Sequence, residues 1–169
     1  MAEIGAYVAL GANLDDPVMQ IECAFTELGQ LPATRMTARS SLYLSRPTGH
    51  LDQPDFVNAA AGLMTRLAPR VLLELLLGIE ARHGRSRSFR NAPRTLDLDL
   101  LLYDGLVMHE PGLTLPHPRM MERAFVLVPL TEIDAEILVP GRGRAADALS
   151  LLDQSGMACL PDPARRAVN

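Results

Sequence analysis

Thr95-Leu96-Asp97-Leu98-Asp99-Leu100-Leu101-Leu102-Tyr103 is the stretch on which the reading of the fold turns. Polar and apolar residues alternate at its start, and Asp104-Gly105 closes it with turn chemistry, so it predicts a strand. It is the last of a series. Ile4 to Leu10, apolar and bounded by glycine, predicts the first strand, after which Gly11-Ala12-Asn13-Leu14 turns. Asp15-Asp16-Pro17 starts a helix with an acidic cap and a proline at the first helical position. Val18, Ile21, Ala24, Phe25 and Leu28 carry its period, and Gly29 with Pro32 stops it. Thr34 to Leu44 predicts a second strand, Pro47 to Pro54 a loop, and Phe56 to Leu67 a third strand. Pro69 opens a second helix with Val71, Leu72, Leu75, Leu76 and Ile79 on its buried side and Gly84 as its cap.

Strand, helix, strand, strand, helix, strand is the order of an α+β, ferredoxin-like βαββαβ core: an antiparallel sheet with both helices on one face. A Pro-rich loop at 111–118 and helical segments near 120–130 and 145–153 form C-terminal helical additions. The expected layout is a single domain over 1–160 and a flexible tail over 161–169.

Composition narrows the chemistry. The chain has 169 residues, 48% hydrophobic and 21% charged, enough to bury a core without disulfides or metal. Its formal charge of −4 argues against a general nucleic-acid or anionic-membrane binder. All 16 basic residues are arginine, so a Walker lysine, a Schiff base and a lysine general base are excluded. Cys23 and Cys159 are far apart and form no framework; Cys23 is expected to be a small core residue in a reducing cytoplasm. The amino terminus has no basic n-region, and no apolar run approaches the about 20 residues of a membrane span.

Asp97 and Asp99 stand two apart in a strand, so both carboxylates project from one face while Leu96, Leu98 and Leu100 turn into the packing. Two carboxylates about 7 Å apart suit a hard cation such as Mg²⁺, which keeps waters and phosphate oxygens in its remaining positions. A bare pair of this kind is also what a solvated sheet edge carries. Arg82, Arg85, Arg87, Arg90 and Arg94 lie just upstream with no acid among them, and such a cluster gains most from a polyanion. His117 is held between Pro116 and Pro118, with Arg123 and Phe125 following. No histidine spacing suits zinc.

The segment Arg90-Asn91-Ala92-Pro93-Arg94-Thr95-Leu96-Asp97-Leu98-Asp99-Leu100-Leu101 resembles the signature of the 6-hydroxymethyl-7,8-dihydropterin pyrophosphokinases of folate biosynthesis. Four further blocks resemble the same family in the same order: Tyr7 to Leu14, Asp52 to Ala60, Ile79 to Arg87, and Leu115 to Pro118 with Arg123 to Leu127. The resemblance implies one pyrophosphokinase domain that transfers pyrophosphate from ATP to the 6-hydroxymethyl oxygen of a reduced pterin, releasing AMP. It implies two Mg²⁺ ions on Asp97 and Asp99, with Arg85 and Arg94 gripping the phosphates in transfer. Glu80, Arg87, Arg94, Leu100, His117 and Arg123 would surround the nucleotide, Leu101 being an alternative to Leu100 beside adenine. Ser45, Arg46, Thr48, Phe56, Asn58 and Phe125 would hold the pterin. A cytoplasmic monomer with small-molecule substrates and no nucleic-acid or membrane partner is the accompanying expectation. The sequence departs from the family's pattern at Ala12, Ser45, Arg46 and Asn91, and with no tryptophan the 85–94 loop would close with other contacts, such as Phe89. Two rival readings remain: a glycosyltransferase whose acidic pair holds a metal–nucleotide sugar, and a ferredoxin-like RNA-binding module using the arginine loop.

Overall fold

The computed structural model describes residues 2–47, 52–84 and 95–162. Its elements run β1 (Ile4–Ala12), α1 (Pro17–Gly29), β2 (Thr34–Arg39), β3 (Tyr43–Ser45), β4 (Phe56–Thr65), α2 (Pro69–Arg82) and β5 (Asp97–Tyr103). Two short strands follow, β6 (Met108–Glu110) and β7 (Leu113–Leu115), then a 3-10 turn at Met120–Glu122 and α3 (Ala124–Ile133). The chain continues with β8 (Leu138–Val139), β9 (Gly143–Arg144), α4 (Ala145–Ser150) and β10 (Met157–Cys159). The main sheet has the order β10-β3-β4-β1-β5, with β2 also pairing β4, and every pairing in it is antiparallel. This is the α+β arrangement expected from the order of the strands.

Alternation decides which face each residue serves. Val8, Leu10, Val57, Ala59, Leu63, Leu96, Leu98 and Leu100 meet Ile21, Phe25 and Leu28 of α1 and Leu72, Leu76 and Ile79 of α2 in one core. The opposite face carries Ala9, Ala60 and Leu101, covered by Met120, Val126, Leu127 and Leu130 in a second core. Three layers result, with the sheet in the middle. That explains Ala59-Ala60-Ala61, all buried at 1% exposure or less: a strand covered on both sides uses small side chains where helices approach closely.

Several local expectations are corrected. The single strand over Thr34 to Leu44 is two, because the chain leaves β2 after a register shift at Met36/Ala38. Ser40 fills the gap: its N–H donates to Ala60 O at 2.9 Å, and its Oγ accepts Ala60 N–H at 2.8 Å. Gly11 belongs to β1 rather than to the turn after it, since it pairs with both Asn58 and Asp97. Cys23 is exposed, not core: α1 buries Ile21, Ala24, Phe25 and Leu28, and two residues on from Ile21 the helix has rotated outward. Val71 is likewise 41% exposed, and α2 buries Glu80 on the side where the hydrophobic spacing led only to Ile79. The helix is capped at His83, with Gly84 following at φ 76°. The small hairpins and β10 carry too few residues for a periodic signal. The last residues of the expected tail, 163–169, lie outside the described ones.

Candidate active site

Strand β5 borders the main sheet, and its free edge opens on a cavity of about 560 Å³. Asp97 and Asp99 line it from the sheet, Leu73 and Leu77 from α2, and Gly112, Leu113 and Thr114 from the β7 hairpin. His117, Pro118 and Arg123 complete the wall. The cavity has two chemically distinct walls. Leu73, Leu77 and Leu113 give an apolar side, and Leu77 stays 41% exposed, an apolar surface left open to a ligand. Asp97, Asp99, His117 and Arg123 give an ionic side.

The two aspartates are half-buried, while Leu96, Leu98 and Leu100 between and around them are buried at 0%, 3% and 4% exposure. Both carboxylates therefore project from one sheet face, and both are hard oxygen donors of the kind Mg²⁺ takes. Among the described residues no third carboxylate, histidine or cysteine joins them in a metal-binding group.

Glu80, expected beside the nucleotide, has another place. It is 2% exposed, and its Oε2 accepts the Leu98 N–H at 2.7 Å. It does not line the cavity; it anchors the residue between the two aspartates from within the core. That bond also fixes the edge geometry. Leu98 turns its N–H away from β1, and Leu100, two residues on beside the register shift, also lines the cavity. The Leu100 side chain belongs to the core, so any contact it offers is a backbone one. Leu101 is fully buried on the opposite face and does not line the cavity.

His117 is pinned by its own N–H to Leu101 O at 2.9 Å, and its Nδ1 accepts the Arg119 N–H at 3.2 Å. Acceptance at Nδ1 leaves the proton on Nε2 as a donor. Burial pushes the His117 pKa down to about 4, with Arg123 adding to the fall and Asp97 opposing it, so the ring is neutral at pH 7. The unfolded chain, with an ordinary histidine value near 6.5, binds that proton first as the pH falls. Stability therefore drops between about pH 6.5 and pH 4 through this group, and the His117→Gln protein shows a shallower fall of Tm across that window. Equal slopes for the two proteins in calorimetry would contradict this.

The remaining expected residues gather next to the cavity. Asn58 pairs with Gly11, and Gly11 with Asp97, so the three stand in one row across β4, β1 and β5. Two strand spacings put Asn58 about 10 Å from Asp97, on the same face. Asn58 and Ser45 are buried at 4% and 6% exposure, with the amide Nδ2 donating to Ser45 Oγ at 2.6 Å. Phe56 pairs with Ser45 across β3 and β4, and both are close in sequence to the 48–51 segment. Phe125, in the first turn of α3, packs on the second core, with the Arg123 guanidinium 5.6 Å from its ring centroid. Arg46 is exposed at the outer end of β3, where a side chain at Gly156 would meet its Cγ at 3.9 Å. Thr48, Arg85, Arg87 and Arg94, together with Phe89 and Asn91, lie outside the described residues. One positioning residue was not singled out from the sequence: Asn13, 2% exposed, donates from Nδ2 to Gln53 Oε1 at 2.8 Å and to Pro54 O at 3.0 Å. Its place at the end of β1, in the block that resembles the family's opening turn, was the available signal.

Fold and cleft together define a ferredoxin-like protein with an acidic pair and a neutral histidine at the edge of its sheet. Residues 7–135 match the family described as 7,8-dihydro-6-hydroxymethylpterin-pyrophosphokinase (HPPK), and the chain belongs to that family. It is 44% identical over 155 residues to the 2-amino-4-hydroxy-6-hydroxymethyldihydropteridine pyrophosphokinase of Pseudomonas aeruginosa, covering 92% of this chain and 96% of that one. It is 47% identical over 137 residues to the enzyme of the same name from Haemophilus influenzae, covering 81% and 86%. Among solved structures, a Plasmodium falciparum HPPK-DHPS variant with SDX-DHP superposes with a TM-score of 0.71 at 14% identity, over 88% of this chain and 45% of that one. The wild-type protein of that organism with pteroate gives 0.69 at 12% identity, over 88% and 42%. The chain thus spans under half the length of those solved chains, which bear on the fold alone. Family membership replaces both rival readings, the glycosyltransferase and the RNA-binding module. Among the described residues, no helix is long and apolar enough to cross a membrane.

Proposed function

We propose that this chain transfers pyrophosphate from ATP to the hydroxymethyl group of 6-hydroxymethyl-7,8-dihydropterin in folate biosynthesis, releasing AMP, as a monomeric cytoplasmic enzyme of one domain. The observation that carries the reading is the row Asn58–Gly11–Asp97: a buried amide for a heterocycle and a carboxylate pair for a metal–triphosphate, side by side on one sheet face.

The nucleotide lies in the cavity, its base against Leu73 and Leu77 and its polar edge against the backbone of Leu100. Its phosphates reach the ionic wall, where His117 Nε2–H and the Arg123 guanidinium donate to their oxygens. Asp97 and Asp99 would hold two Mg²⁺ ions there. The chemistry such ions would supply is polarisation of the phosphate oxygens and a lower proton affinity for the pterin hydroxyl. The pterin sits with its donors and acceptors on Asn58 and Ser45 and its flat faces toward Phe56 and Phe125, aromatic stacking adding about 0.5–1.5 kcal/mol per pair. Arg85, Arg87 and Arg94 supply further phosphate contacts, and Thr48 and Arg46 border the pterin.

The hydroxymethyl oxygen then attacks the β-phosphorus in line; its bond to phosphorus forms as the bridging bond to the α-phosphate breaks, AMP departs with that bridging oxygen, and the hydroxyl proton is released to water. Asn58 on the sheet and His117 on the segment bonded to its edge at Leu101 place the two reactants side by side, so orientation contributes to the acceleration. The direct test is chromatography of AMP after incubation with ATP, Mg²⁺ and the pterin alcohol. Asn58→Ala raises the pterin KM by roughly 10²-fold and leaves the ATP KM within about threefold, because a site built to hydrogen-bond its ligand loses most when a buried partner goes. Equal rises in both constants would overturn the division of the site.

A further inference from the structure

The turn Pro140-Gly141-Arg142-Gly143 joins β8 to β9, outside the residues 7–135 that match the family. Its geometry is tightly set. Gly141 and Gly143 take φ of 73° and 87°, a left-handed backbone that glycine adopts without strain, and the Arg142 N–H closes the turn on Val139 O at 2.9 Å. Arg142 is thereby held at the tip, and its Nη1 donates to His117 O at 2.9 Å and Pro118 O at 3.2 Å. Both acceptors belong to residues that line the cavity. The guanidinium itself is exposed, so it contributes little to global stability. Together with Arg119 and Arg123 it sets three guanidiniums around His117 against the single carboxylate of Asp97, a balance that favours a polyanion.

We infer that Arg142 is a positioning residue for the nucleotide: it braces the His117–Pro118 segment from the far hairpin and so sets the Nε2–H donor and the local charge that the phosphates meet. The inference rests on the nucleotide occupying the β5-edge cavity. Bracing of this kind acts on ATP binding and leaves the pterin half of the site alone, since Asn58 and Ser45 are held by β3 and β4.

The test compares Arg142→Met, Arg142→Lys and His117→Ala with the parent enzyme in kcat, both KM values and Tm. Arg142→Met raises the ATP KM roughly tenfold, with kcat within about threefold and the pterin KM unchanged. Arg142→Lys, which keeps the charge and one donor, recovers part of that loss. In the His117→Ala background the Met substitution costs less than on its own, because the two act through one segment. An unchanged ATP KM in Arg142→Met, with His117→Ala still impaired, overturns the role of Arg142 alone. A parallel rise of both KM values with a lowered Tm reduces Arg142 to a structural brace and also overturns it. An unchanged ATP KM in His117→Ala removes the nucleotide from this cavity, and the inference falls with that placement.

Discussion

Asp97→Ala and Asp99→Ala each lower turnover by roughly 10³-fold or more while the protein stays folded. The reason lies in what each carboxylate does and does not support. Both are half-buried on the cavity face, whereas the neighbouring leucines carry the packing, so truncation removes the proposed metal ligand without opening a hole in the core. In the proposed site two hard donors about 7 Å apart along a strand would supply the protein's share of the coordination, and losing either would leave one carboxylate, with arginine and histidine, to hold the metal–triphosphate. Those contacts would still bind ATP but would neutralise less of the charge at the transferring phosphorus, so the loss falls on kcat. Thermal unfolding within a few degrees of the parent, pterin binding by calorimetry close to the parent, and a collapsed rate of AMP formation are the expected set. AMP formation within about tenfold of the parent by either variant would remove the metal-ligand assignment.

The second large effect comes from a residue buried in the core behind the cavity. Glu80→Leu leaves the Leu98 N–H without its acceptor in the core, a loss of about 1–3 kcal/mol visible as a lowered urea midpoint. Leu98 lies between the two aspartates, and displacement of that segment by even about 1 Å costs on the order of 10²-fold in rate. Glu80→Gln keeps an acceptor oxygen in place and recovers most of both losses. The comparison separates anchoring from charge. If Gln were as damaging as Leu, the negative charge of Glu80 and not its hydrogen bond would be what the site requires.

The contrast between Glu80 and the aspartates shows what kind of information the chain carries locally. Asp97 and Asp99 were legible because a strand has a period of two, and that period needs no partner to be recognised. Glu80 was placed by its block among the nucleotide contacts, and its burial against Leu98 was not legible, because the helix period accounts for apolar positions and gives no reason to bury an acid. Cys23 and Val71 were misassigned for a related reason: each is apolar and sits in an apolar-rich helix, yet the rotation per residue carries it to the outer face. Ser40 divided a strand that composition alone made continuous, since its hydrogen bonds to Ala60 are twenty residues away.

By itself, then, the amino-acid order determined the elements with strong periods, the α+β class, the shared face of Asp97 and Asp99, and the blocks that carry the family likeness. Tertiary structure alone decided that β5 is an edge strand, that Asn58 and Asp97 share one row through Gly11, that α3 covers the second face, and that Arg142 reaches back to His117. The physical division is one of range. Alternation, caps and turns act over a few bonds, whereas strand neighbours and cavity walls depend on contacts between residues tens of positions apart, whose pairing is chosen by the packing of the whole molecule.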